Sequence, residues 1–362
     1  MSDEDPHAPD VDELGRLVIR RHGTVVAIAH DPHTFSNAVS RHAHVPNGLD
    51  GEEHAAARRL LDPFLASEAI DPLEPRFAQI ARTLLTELVA AGGTFDAVHE
   101  VGARYAVRAQ SAWLGWRADL EDTLLNWVAE NRAASRSRDT ERMRRVAEDF
   151  DAIVASLVAE RRATPHDDVT ARLMTVRAED GGTLSDDELV SVLRNWTGGD
   201  LSSLALCAGI VLHWLAMHPR HAARLGAASD HELDAAIDEI LRLDDPFVSN
   251  RRVATREAVV AGCQVAAGDI VVLDWRAANR DPAAFADPDA FAPHAHASGN
   301  LVYGTGPHVC PGRGLSTLEL RVLVREVLAV GSLELDVRHP ATREEAPVAG
   351  FRTVPVRLVT RR

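Results

Sequence analysis

The chain of 362 residues is 46% hydrophobic and carries a formal net charge of -15, which supplies a sizeable core and excludes nucleic acid as the main partner. All 39 basic residues are arginine, the usage of a GC-rich bacterial genome, and the only cysteines are Cys207, Cys263 and Cys310. Three is too few, and odd, for a disulfide framework, so a reducing cytoplasm is expected.

The N-terminus, MSDEDPHAPDVDEL, has no basic start and no apolar run, so it reads as neither a signal peptide nor a membrane anchor. Residues 1–13 are expected to be an acidic disordered tail and 14–362 a single domain. RLVIRRHGTVVAIAH reads as a strand, a glycine turn and a second strand. From Glu52 to Pro246 the periodicity is mostly helical. EHAAARRLLDPFL and PRFAQIARTLLTELVAAGG space their apolar residues by three and four, and DTERMRRVAEDFDAIVASLVAERRATP is amphipathic with a proline stop. SDDELVSVLRNWTGGDLSSLALCAGIVLHWLAMHP opens with a capping box, Ser185 to Glu188, and its apolar run, interrupted by His213, reads as a buried core helix and not a membrane span. HELDAAIDEILRLDDP is a further helix. VVAGCQVAAGDIVVLDW then alternates and turns on glycine, as strands do; a last helix follows Cys310, and short strands close the chain. The fold expected is mainly α with small β-sheets.

Cys310 sits in NLVYGTGPHVCPGRGLSTLE, flanked by Gly304, Gly306, Gly312 and Gly314. Glycines let backbone approach a bulky group closely, and a helix starting beside the sulfur would stabilise a thiolate. No second cysteine or histidine stands at zinc spacing, since His308 is only two residues away. A lone thiolate in a glycine-rich turn suits one axial bond to a flat macrocycle. The competing reading is a buried structural cysteine in a tight loop.

YGTGPHVCPG resembles the haem-binding loop of the cytochrome P-450 family, Phe-Gly-x-Gly-x-His/Arg-x-Cys-x-Gly. Further landmarks of the family stand in its order along the chain: DPHTFSN, the His54–Arg58 pair in EEHAAARRLL, EILR with Glu239 and Arg242, RRVAT with Arg252, AANRDP, FADPDAF, and Glu319 after the cysteine. The likeness spans residues 16–360. It implies the family's fold in one domain shortened at its N-terminus, haem b as cofactor, and an oxygen-inserting reaction on an organic substrate.

By that resemblance Cys310 gives the proximal thiolate, which in this family favours O–O cleavage. His54, Arg58, Arg252 and His308 would bind the haem propionates, because buried carboxylates need charge-assisted donors; the plainer reading of each arginine is a solvated surface charge. Glu239 and Arg242 would be a structural pair bracing the haem loop. The family's third member of that network, an arginine, falls here on Ala295, between His294 and His296, and one of those histidines is the candidate substitute. On the central helix the family carries an acid and a threonine that deliver protons for oxygen activation. Matching Gly198-Gly199 by eye puts Asp200 and Leu201 there. Counting back from Pro219 puts Ser202 and Ser203 there instead, with Asp200 one turn earlier; the count is preferred, because a two-residue insertion would turn the downstream face by about 200°. A polar kink at the glycines is the alternative without chemistry. Tyr303 replaces the usual phenylalanine. Pro311 removes one backbone N–H next to the sulfur, which should leave the thiolate more electron-rich.

No reductase domain is present, so the resemblance implies an external ferredoxin or flavodoxin, met by a basic face drawn from Arg58, Arg59, Arg104, Arg108, Arg313, Arg321 and Arg325. Neither nucleic acid nor membrane is expected as a partner. A pocket lined by the loop after Phe35 and by segments 195–200, 245–250 and 348–351 suits a moderately apolar molecule. Two alternatives remain open: a peroxide-using or non-hydroxylating haem-thiolate enzyme, and a haem-binding sensor or carrier without turnover.

Overall fold

The computed structural model describes residues 8–40, 45–179 and 181–361. The chain divides into two compact units: the N-terminal stretch to Arg59 with Asp238–Pro311, and Leu60–Ile237 with Gly312–Arg362. The fold is mainly helical with small sheets, as the sequence reading has it.

The first unit is built on a five-stranded sheet ordered Asp10–Val11, Leu17–Ile19, Ile270–Asp274, Ser249–Ala254, Phe35–Ser36. Only the Leu17–Ile19 and Ile270–Asp274 pairing is parallel; the others are antiparallel. Ile19, Val271, Leu273, Ala254 and Phe35 form its core with Val25, Ile28 and Ala29. These last three correct the expected second strand, because His22–Ala29 is a helix. Its β-branched residues favour a strand locally, but spacing at i, i+3 and i+4 buries one helical face on the sheet, and burial outweighs propensity. The tail is corrected in part as well: Asp10 and Val11 pair with Val18 and Leu17, so order begins inside the span expected to be disordered. Residues 1–7 of that tail lie outside the described residues.

The second unit contains helices Glu74–Ala90, Arg104–Leu114, Glu121–Ser137, Thr140–Ala163, Asp186–Met217 and Arg313–Val330. A small antiparallel sheet orders Thr94–Asp96, Pro355–Thr360 and Gly331–Leu335. Asp186–Met217 is the central helix. Its capping box forms as read, with Glu188 N donating to Ser185 Oγ at 3.3 Å and Ser185 N to Glu188 Oε2 at 2.8 Å. It runs unbroken through Gly198 and Gly199. It is long and apolar enough to cross a membrane, yet 61% of its apolar window is buried inside the protein, as a core helix requires. The π-helical segment Ala97–Ala103 packs on it through glycine: a Cβ on Gly102 would stand 2.7 Å from the Ala205 carbonyl oxygen, and one on Gly209 2.5 Å from Val98 Cγ2.

Candidate active site

The first unit carries the cysteine loop. Cys310 N–H donates to the Tyr303 carbonyl at 2.9 Å, closing a turn in which Gly304 and Gly306 take φ of 70° and 74°. A side chain at Gly306 would be strained there and would also meet the Ala29 carbonyl oxygen at 2.6 Å. None of the three cysteines is in a disulfide.

Four expected propionate ligands belong to this same unit, and three of them meet the loop or one another. Helix Gly51–Leu61 presents His54 and Arg58 one turn apart. Arg58 Nη1 donates to the carbonyls of Pro307 and Val309 at 3.3 and 3.2 Å. The rings of His54 and His308 lie 4.0 Å apart, tilted by 36°. His308 Nε2 bonds Asp50 Oδ1 at 3.1 Å. Asp50, a residue the sequence reading did not single out, also accepts from Ser36 Oγ and Asn37 N. Burial alone would raise its pKa, but these hydrogen bonds outweigh burial and hold it low. The signal for it was available: Asp50 stands one helical turn before His54.

Arg252 is 3% exposed, its guanidinium donates to the carbonyl of Arg251 at 2.9 Å, and no carboxylate among the described residues reaches it at ion-pair distance. Burial lowers it to about 10, with Asp50 opposing only from a distance. Burial, and then the neighbouring His54 and Arg252, push His308 down to about 4. Arg252 is thus a buried cation with no carboxylate at ion-pair distance among the described residues, which is costly, and the neighbouring His308 is kept neutral beside it. Haem propionates are anions of the required kind, so these residues fit the cofactor.

Glu239 and Arg242, 2% and 1% exposed, form a buried bidentate pair with Nε–Oε2 at 2.7 Å and Nη2–Oε1 at 2.9 Å. His296 supplies the third member: its Nδ1 lies 2.7 Å from Glu239 Oε1 and 3.0 Å from Arg242 Nη2. The short contact to a carboxylate makes Nδ1 the donor. Arg242 also bonds the carbonyls of Asn279, Pro288 and Ala290, and Ala292 N–H donates to Glu239. One ion pair thus ties helix Asp230–Leu243 to the chain that leads toward Cys310.

The second unit separates the three distal candidates. Gly199 is exposed, and Asn195 and Ser203, each one turn away, are partly so. Gly198, Asp200 and Ser202 beside them are partly exposed as well. Asp200 turns elsewhere: Gln110 Nε2 donates to its Oδ2 and Ser316 Oγ to its Oδ1, the latter at 3.2 Å. Asp200 finds its donors on helices Arg104–Leu114 and Arg313–Val330. Ser202 Oγ is buried with no hydrogen-bond partner among the described residues. Burial pushes Asp200 up to about 6 against the pull of Ser316 and Gln110. Glu319 is 0% exposed with neither carboxyl oxygen hydrogen-bonded among the described residues, and burial, then Asp200, push it far above the usual carboxylate range.

The expected basic face is largely neutralised. Arg59 pairs with Glu52, Arg104 with Glu87, Arg108 with Glu121, Arg321 with Asp234 and Arg325 with Asp230.

The Cytochrome P450 family model matches residues 133–359. Erythromycin C-12 hydroxylase of Saccharopolyspora erythraea is 30% identical, the match covering 95% of this chain and 90% of that protein. Epothilone C/D epoxidase of Sorangium cellulosum is 32% identical over 84% of this chain and 72% of its own. The solved structure of a mutant of the P450 EryK in complex with erythromycin B superimposes with a TM-score of 0.88 at 27% identity, over 99% of this chain and 94% of that one. The chain belongs to the cytochrome P450 family: it is a haem-dependent monooxygenase acting on an organic substrate.

Proposed function

We propose that Cys310 is the axial thiolate of haem b, that His54, Arg58, Arg252 and His308 hold its propionates, and that the enzyme is a cytoplasmic hydroxylase or epoxidase of a large natural product. The observation that carries the cofactor assignment is the buried Arg252 guanidinium, with no carboxylate at ion-pair distance among the described residues, beside His308 and His54 in the same unit as the Cys310 loop. Haem, when bound, supplies the dioxygen activation and the oxygen insertion. The chain's residues bind and orient it: Arg58 fixes the loop carbonyls, Asp50 orients His308, and Glu239, Arg242 and His296 brace the approach to the cysteine. Ser203, on the exposed stripe of the central helix, is the hydroxyl best suited to orient water there; Asp200 is held inside the second unit by Gln110 and Ser316. One atom of dioxygen enters the substrate and the other leaves as water, so two electrons and two protons come from outside. The electrons come from an external ferredoxin or flavodoxin.

The substrate class rests on relatives whose names include an erythromycin hydroxylase, a 6-deoxyerythronolide B hydroxylase and an epothilone epoxidase. We read it as an apolar, oxygenated macrocycle, modified at one C–H or C=C bond. Titrating macrolactones and steroids against the haem-loaded protein tests this. A spin-state shift with macrolactones and none with steroids is expected; the reverse order would overturn it. A carbon monoxide difference spectrum tests the ligand: the thiolate band is expected, and Cys310→Ala abolishes it.

The peroxide-using reading keeps one specific support, that the central helix has no threonine at its distal positions and its acid is bonded inward. Turnover with hydrogen peroxide that equals or exceeds turnover with a ferredoxin and its reductase would favour it.

A further inference from the structure

Asn279 lies in AANRDP, which the site as described does not use beyond its backbone. It is 0% exposed, and every polar group it owns has a partner. Its N–H donates to the Trp275 carbonyl at 2.8 Å, and its own carbonyl accepts Arg242 Nη1 at 2.7 Å. Its side-chain Nδ2 donates to Asp245 Oδ2 at 2.8 Å. Its Oδ1 accepts the Leu301 N–H at 2.8 Å. Asp245 is itself 0% exposed and takes Phe247 N–H on its other oxygen at 2.8 Å.

These bonds converge on the stretch entering the cysteine loop. Leu301 O accepts Gly304 N–H at 2.8 Å, and Tyr303 O accepts Cys310 N–H at 2.9 Å. One residue earlier, Asn300 Nδ2 donates to the Asp238 carbonyl at 2.9 Å. The loop is thus pinned at its entry by Asn279 and Asn300, and at its cysteine by the Tyr303 carbonyl. Asn279 alone joins the Glu239–Arg242–His296 network to that entry. Its fork is fully specified: the amide must donate to Asp245 for the oxygen to face Leu301.

We propose that Asn279, fixed by Arg242 and Asp245, is a positioning residue for Cys310: through Leu301 it sets the register in which the cysteine loop presents its sulfur. The inference rests on the reading of Cys310 as the haem ligand.

The test uses the haem-loaded full chain as wild type, Asn279→Leu, Asn279→Asp and the exchange Asp245→Asn with Asn279→Asp. The exchange reverses donor and acceptor between the two side chains and keeps an oxygen for Leu301 N–H. Two quantities are read: the thermal unfolding midpoint, and the fraction of thiolate-ligated haem in the carbon monoxide difference spectrum. Both single variants are expected to lower the midpoint and to raise the non-thiolate fraction several-fold. The exchange is expected to return that fraction to within twofold of wild type. Single variants with a lowered midpoint but the wild-type spectrum would make Asn279 merely structural and overturn the proposal. A folded exchange variant that stays non-thiolate would overturn it too, and this arm stands even where Asn279→Leu fails to accumulate. A wild-type protein without the thiolate band would instead sink the reading of Cys310.

Discussion

Arg252 shows how one residue can carry both a cost and a purpose. On the proposed role, a guanidinium at 3% exposure with no carboxylate bonded to it among the described residues costs stability in the chain without haem and would gain an anionic partner with it. Arg252→Leu should therefore weaken haem binding by about 10-fold to 100-fold, the scale of one lost charge-assisted pair, while leaving the haem-free unfolding midpoint equal or higher. Haem titration followed by thermal unfolding of both forms checks this. Asp200 makes the complementary prediction. Its folded pKa, about 6, lies above that of an unfolded aspartate, so its neutral form is favoured on folding. The contribution is fully present below pH 4 and is lost as pH rises through about 6. Unfolding free energy should fall by up to about 3 kcal/mol across that window, and Asp200→Asn should flatten the fall. A wild-type profile that rises from pH 5 to 8 through the same window, with Asp200→Asn unchanged, would refute the assignment.

The central helix is legible in sequence as an element and illegible as a site. Its capping box and length follow from local chemistry, Ser185 and Glu188 at one end and the apolar run behind them. Which of its faces stays open does not. Asn195, Gly199 and Ser203 share a stripe by their spacing of four, while the bonds that hold Asp200 come from Gln110 and Ser316, residues distant in the chain. Two glycine substitutions separate these influences. No atom lies within 4 Å of a Cβ built on Gly199, so Gly199→Ala should stabilise the fold by about 0.5–1 kcal/mol through helix propensity and perturb ligand binding on the stripe. Gly102→Ala should destabilise by about 1–3 kcal/mol, since its Cβ would stand 2.7 Å from the Ala205 carbonyl. Denaturant midpoints of the two variants should move in opposite directions. The His22–Ala29 helix teaches the same lesson from the other side: local propensity favours a strand, and only the sheet beneath it turns Val25, Ile28 and Ala29 into one buried face.

At the scale of the whole molecule, the net charge of -15 and the pairing of five candidate docking arginines argue against a strong electrostatic attraction for an acidic electron donor. Reduction by a ferredoxin is expected to lose less than about tenfold in rate between 0.05 and 0.5 M salt, because pairs already satisfied within the protein add little steering. Stopped-flow reduction over that range measures it; a steep fall would restore the basic face.

By itself the sequence determined the helix-rich fold, the glycine loop around Cys310, and the charged residues able to meet a haem, because each of these is a local pattern whose spacing carries its chemistry. Tertiary structure alone decided the rest. It replaced the absent arginine at Ala295 with His296, gave Asp50 to His308, bound Asp200 to Gln110 and Ser316, and made Asn279 the link to the cysteine loop. Each of those outcomes depends on which buried polar group finds a partner across tens to hundreds of residues of chain. Hydrogen-bond satisfaction in a packed interior is a property of the assembled fold, and no sequence window contains it.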